Sequence, residues 1–178
     1  MSLDPVVVVA LSLLLSYIMV DAGLHKLRSP RHYARIIDDY DVLPGASGRI
    51  AVWMIGLLEL ACGIAMLAPA THAAGVFTTG LLLAVYFLAM ALNLLRGRGD
   101  IDCGCYGPAH RQALSPWLLA RNLVLVLVAV QLLVFESSGR EMLWIDWFVG
   151  IGAALGAIML YATCGLLMSN NALLAKLK

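Results

Sequence analysis

Cys103 and Cys105, in the stretch Asp102-Cys103-Gly104-Cys105-Tyr106-Gly107-Pro108, are the residues of this sequence best suited to chemistry. They stand on a polar connector between long apolar runs, where a partner, a metal or an electron carrier can reach them. A disulfide between them closes a small ring around Gly104, and glycine best adopts the backbone angles this needs. Bridging requires Cα atoms within about 6.8 Å, which a bent three-residue turn meets only with strain. Strain makes a disulfide easier to reduce, so the pair suits thiol–disulfide exchange better than structural stapling. Acidic Asp100 and Asp102 disfavour the thiolate, whereas Arg96, Arg98 and Arg111 favour it. His110, close by in the chain, is a candidate for activating a thiol.

Metal binding is the competing reading. Cys103, Cys105 and His110 offer soft or borderline ligands, and an intramembrane cysteine would complete a set of four. Structural zinc usually places about two to four residues between paired cysteines. This pair has one between them and no second pair follows, so no metal is assigned. Two unreactive thiols on a loop that docks a partner are the plainest alternative.

The remaining cysteines, Cys62 and Cys164, lie in apolar runs where such residues commonly serve as small packing groups. Cys164 lies toward the same end as the loop, which makes it the better exchange partner. Glu59 falls near the middle of an apolar run, where an ionised carboxylate is costly unless paired. Arg121, followed by Asn122, sits about two turns inside another. Asp21, His25, Lys26 and Asn93 approach the ends of their runs on the loop side, where the charged ones can snorkel to water. Glu59 is expected to lie apart from that group. Glu59 and Arg121 are the candidates for shaping an intramembrane site.

What positions these residues is a membrane. The chain has 178 residues, 62% of them hydrophobic, with a net charge of +1 and no basic stretch that suits nucleic acid. Runs of about 20 apolar residues are needed to cross the bilayer. Five are present, over residues 5–24, 50–67, 73–95, 116–135 and 145–168. Lipid cannot satisfy open backbone groups, so each must be a helix, and an all-α polytopic bundle follows. The first run follows Asp4 rather than a basic residue and no cleavage site comes after it, so it reads as a span rather than a signal peptide. Ser115 and Pro116 suit a cap and first helical position, and Pro44 and Pro69 punctuate span ends. Gly152 and Gly156 form a small-xxx-small pattern that permits close helix packing. Trp144 and Trp147 suit an interfacial aromatic belt.

Five spans put the amino terminus and the second and fourth connectors on one side, with Arg140 as its single basic residue. The opposite side carries ten, among them Lys26, Arg31, Arg35, Arg49, Arg96 and Arg98. The positive-inside rule makes that side, and the cysteine loop with it, cytoplasmic. Disulfides, however, persist in the periplasm and are rare in the cytosol. Asp38, Asp39 and Asp41 offset the basic first connector, which favours a periplasm-facing loop. A relay of reducing equivalents across the membrane through the intramembrane cysteines is the other reconciliation.

The runs Gly23-Leu24-His25-Lys26-Leu27, Tyr40-Asp41-Val42-Leu43-Pro44 and Leu58-Glu59-Leu60-Ala61-Cys62-Gly63 resemble the first half of the DoxX-like membrane proteins. With Ile101-Asp102-Cys103-Gly104-Cys105-Tyr106-Gly107 and Arg121-Asn122, the chain is similar to the MauE family of methylamine-utilisation proteins. The resemblance covers the first four spans, and the cysteine loop is its discriminating element. Tyr106 stands where many relatives have phenylalanine. The resemblance implies one integral membrane domain over 1–178, with a four-helix core at 5–135 and a C-terminal span within 143–168. It also implies the bacterial inner membrane, a thioredoxin-like partner of the MauD type, and a disulfide-rich periplasmic client, the small subunit of an amine dehydrogenase. The family motif carries over to Cys103, Cys105 and Glu59.

These readings converge on a membrane thiol–disulfide redox protein. Cys103 and Cys105 cycle between dithiol and disulfide, and electrons pass between the thioredoxin-like partner and a second carrier. That carrier is either Cys164 or a lipid-soluble quinone held in the bundle. A non-enzymatic scaffold or soft-metal-binding subunit remains the alternative.

Overall fold

A computed structural model of the chain describes residues 3–41, 48–104, 112–135 and 140–175. It is all-α, with α1 (Pro5–Arg28), α2 (Pro30–Tyr40), α3 (Gly48–Ala65), α4 (His72–Leu95), α5 (Pro116–Val134) and α6 (Trp144–Ala175). All but α2 are long and apolar enough to cross a membrane, so the expected polytopic bundle is found. The helix ends follow from local chemistry. Asp4 accepts a hydrogen bond from the Val6 amide at 2.9 Å and Pro5 opens α1. Ser115 caps α5 in the same way, accepting from the Leu118 amide at 3.5 Å with Pro116 behind it. His25, Lys26 and Arg28 crowd the last turn of α1, where the helix dipole favours positive charge.

The first connector is not a plain loop. Within it α2 is amphipathic, burying Tyr33 and Ile36 and exposing Arg31, Arg35, Asp38 and Asp39. It lies against α3 and ends at Asp41, whose backbone is left-handed at φ 50°.

Helix α1 is the hub of the bundle and contacts every other helix. Its Leu15, Ile18 and Met19 meet Val76 and Leu83 of α4 and Leu125 and Ala129 of α5 in the principal core. Large apolar side chains such as Trp53, Phe77, Leu88, Val124 and Met159 point outward, as a lipid solvent permits. The α1–α3 crossing is made by small residues. A Cβ placed on Gly23 would lie 2.8 Å from the Gly56 carbonyl oxygen, and one on Gly63 would lie 3.1 Å from that of Ser16. Ser16 adds a hydrogen bond of 2.7 Å from its hydroxyl to the Gly63 carbonyl. By contrast, a Cβ on Gly152 or Gly156 meets nothing within 4 Å. That pattern therefore makes no close packing within the chain, contrary to the expectation from sequence. Trp144 and Trp147 are exposed at the start of α6, where a belt position puts them.

The two ends of the bundle sort the connectors as five spans require. At one end Arg140 bridges Asp4 at 3.4 Å and Asp146 at 3.0 Å. At the other, Arg98 lies 3.6 Å from Asp41, and the Asn93 amide donates to the Tyr40 carbonyl at 3.3 Å. Asn93, fully buried, thus ties the end of α4 to the end of α2.

Candidate functional site: a cavity beneath the thiol loop

Glycine spacing places the first pair of functional side chains. Gly23 precedes Lys26 by one turn and Gly56 precedes Glu59 by one turn, so the close crossing brings the two long side chains together. The Lys26 ammonium donates to both carboxylate oxygens of Glu59, at 2.7 and 2.8 Å. The Tyr86 hydroxyl donates to Glu59 Oε1 at 2.6 Å. Glu59 is fully buried, and the Lys26 side chain is 12% exposed. Rings of Tyr33 and Tyr86 flank the ammonium at 5.5 and 5.4 Å, adding cation–π attraction. Lys26 therefore turns into the bundle instead of snorkelling to water. Glu59, expected apart from the loop-side group, belongs to it. Asp21 and His25 pair with each other at 3.4 Å at the side of α1 and take no part in the cavity wall.

These groups line a cavity of about 190 Å³. Helix α2 lends Tyr33, Ile36 and Tyr40 to its wall, α5 lends Arg121 and Asn122, and α6 lends Tyr161. Most of the remaining wall is apolar, including Ile18, Met19, Val52, Leu83 and Leu125. The Arg121 guanidinium lies 5.4 Å over the Tyr161 ring, and the Asn122 amide donates to the Leu83 carbonyl at 3.0 Å. The expected intramembrane pair, Glu59 and Arg121, thus shares one space.

The thiol loop contributes Cys103 and Gly104 to the cavity wall. Asp102 and Ala113 form an antiparallel bridge, with Cys103 N–H donating to the Gln112 carbonyl at 2.9 Å and Leu114 N–H to that of Ile101 at 3.0 Å. Asp102 Oδ1 accepts from the amides of Gly104 and Gln112, both at 3.3 Å. This folds the loop inward, so that half-buried Cys103 joins the wall, and Tyr40 donates to its carbonyl at 3.5 Å. Gly104 is left-handed at φ 66°, and a Cβ on it would lie 3.3 Å from Ile36 of α2. Gly104→Ala is expected to cost the loop about 1–2 kcal/mol in backbone strain. The readout is faster maleimide alkylation of reduced Cys103, and an unchanged rate would mean that the loop does not depend on this turn.

Cys105 and His110 lie outside the described residues. Cys164 is at the loop end of α6, beside Gly165, whose carbonyl accepts from the Gln112 side chain at 2.8 Å. It does not line the cavity, and neither does Cys62, buried one turn beyond Glu59. Among the described residues, no three His, Cys, Asp or Glu side chains converge as a metal would need. Sequence reading passed over the tyrosines at positions 33, 40, 86 and 161. For Tyr86 and Tyr161 the signal was a polar hydroxyl in an apolar run, which needs a partner when buried, whereas Tyr33 and Tyr40 stand among charged residues.

A family model described as methylamine utilisation protein MauE matches residues 4–135. That stretch holds Lys26, Glu59, Tyr86, Cys103 and Arg121 but not α6. The chain is 28% identical to the methylamine utilization protein MauE of Paracoccus denitrificans, over 93% of this chain and 89% of that one. It is 29% identical to that of Paracoccus versutus, over 92% and 88% of the two chains. For that of Methylophilus methylotrophus the identity is 33%, over 57% and 54%. No solved structure matches the chain.

Proposed function

The chain belongs to the MauE family, and from that premise we propose that it is a thiol–disulfide redox protein of the bacterial inner membrane. In this reading all 178 residues form one integral membrane domain. Its Cys103–Cys105 disulfide accepts electrons from a thioredoxin-like partner of the MauD type. That partner oxidises a disulfide-rich periplasmic client, by family likeness the small subunit of an amine dehydrogenase. A partner thiolate attacks one sulfur of the pair and a mixed disulfide forms, releasing the other sulfur as thiolate. The partner's second thiolate then resolves it, leaving the partner oxidised and the pair reduced. His110 is assigned to thiolate balance in the loop, and Glu59 with Arg121 to the intramembrane site.

One observation carries the reading. Cys103 stands in the wall of a cavity that also holds a buried ion pair, rather than on an open connector. That sets a thiol beside a space where a second electron carrier can bind, which a loop that only docks a partner does not need.

The test is trapping. Cys103→Ser and Cys105→Ser are each expressed with a partner that lacks its resolving cysteine. One of the two should accumulate a mixed disulfide on a non-reducing gel, and the double variant should form none and lose client maturation. Impermeant maleimide applied to cells with a permeabilised outer membrane should label the pair only after reduction, since the exchanging loop faces the periplasm. Normal client maturation in the double variant would leave only a scaffold role.

A further inference from the structure

Thiol exchange with a soluble partner uses the loop but not the cavity beneath it. That cavity measures about 190 Å³, and an apolar cavity of about 150 Å³ already holds a benzene ring. One six-membered ring with small substituents therefore fits. The wall is mostly apolar, and its polar side chains gather in two places: Lys26 and Tyr86 around Glu59, and Arg121 with Asn122. Cationic donors of this kind hold carbonyl oxygens, more strongly as those oxygens gain electrons. Tyrosine rings supply flat faces for a flat ring. Cys103 borders this space and Cys164 does not, which favours a bound carrier over the second cysteine as next acceptor.

We propose that the cavity binds the head group of a membrane benzoquinone, which takes the electrons of the reduced Cys103–Cys105 pair. This rests on the redox reading above. In the step, the two thiols give up two electrons and two protons and an S–S bond forms. The two quinone carbonyls become the two hydroxyls of the quinol. Arg121 and the Lys26 ammonium, whose third N–H remains beyond the two given to Glu59, hold the carbonyl oxygens and stabilise the charge that builds on them.

The experiment uses the full chain, reduced and reconstituted in lipid nanodiscs, with decylubiquinone as probe. One quinone should be reduced per chain, with loss of two alkylatable thiols. Cys103→Ser/Cys105→Ser should reduce none. Arg121→Gln should weaken binding roughly tenfold, the worth of one hydrogen bond from a charged group, and Arg121→Lys should lose less. An azido-benzoquinone should photolabel cavity residues, with decylubiquinone competing. Photolabel confined to lipid-facing side chains overturns the proposal. So does a pair that exchanges with its partner while the probe is neither bound nor reduced, and the redox reading then survives without the quinone. If instead the probe is bound and reduced but the pair never exchanges with the partner, the quinone site stands and the partner reading falls.

Discussion

Glu59→Ala is expected to destabilise the protein by about 3–5 kcal/mol, because it leaves the Lys26 ammonium buried without its counter-charge. The carboxylate accepts three hydrogen bonds, two from Lys26 and one from Tyr86, and no part of it reaches solvent. Lys26→Met should cost a similar amount, leaving the carboxylate with the Tyr86 hydroxyl but no counter-charge. The double variant Lys26→Met/Glu59→Leu separates structure from chemistry. Replacing a buried ion pair by apolar side chains of similar size is often neutral or stabilising, so its unfolding midpoint should return close to wild type. Quinone reduction and client maturation should not return, since the donors and the charge are gone. Unfolding of the purified protein in mixed micelles gives the first quantity, and nanodisc turnover the second. Recovery of both in the double variant would reduce the pair to a packing device.

Why the pair was only half visible in sequence is a matter of range. Glu59 drew notice because a carboxylate in an apolar run must be compensated, and Arg121 for the same reason. Lys26, near the end of its run, had an inexpensive local alternative in snorkelling. What turns it inward is Glu59, which lies far along the chain on α3. The spans themselves were legible, since a bilayer leaves the backbone no choice but helix, and the Ser115–Pro116 start of α5 was local chemistry. Helix α2 was missed because it is too short and too charged to be a span. Its apolar residues Tyr33, Ile36, Ile37 and Tyr40 nevertheless recur at helical spacing and supply part of the cavity wall. The thiol loop was found by residue type alone. That Cys103 faces inward depends on Asp102 binding two loop amides, a geometry that spacing does not encode.

The two glycine pairs show the same limit and supply the other large effect. Glycine to alanine in a helix interior ordinarily gains about 0.5–1 kcal/mol. Gly152→Ala should follow that rule, for its new methyl meets nothing within 4 Å. Gly23→Ala should reverse it. Its methyl would lie 2.8 Å from the Gly56 carbonyl oxygen and 3.1 Å from the Leu60 amide nitrogen, backbone atoms that cannot rotate aside. Overpacking of this kind costs about 1–3 kcal/mol. The helices relieve it only by separating, and separation draws Lys26 away from Glu59 one turn along. The loss should therefore exceed stability: at a temperature where the variant is still folded, quinone binding should fall as well. A melting comparison of the two alanine variants, with decylubiquinone binding measured below both midpoints, checks this. If Gly23→Ala stabilises as Gly152→Ala does, the α1–α3 backbones are not in contact, and the crossing is not what brings lysine to glutamate. If it destabilises yet binds quinone normally, the crossing holds the fold together but does not set the site.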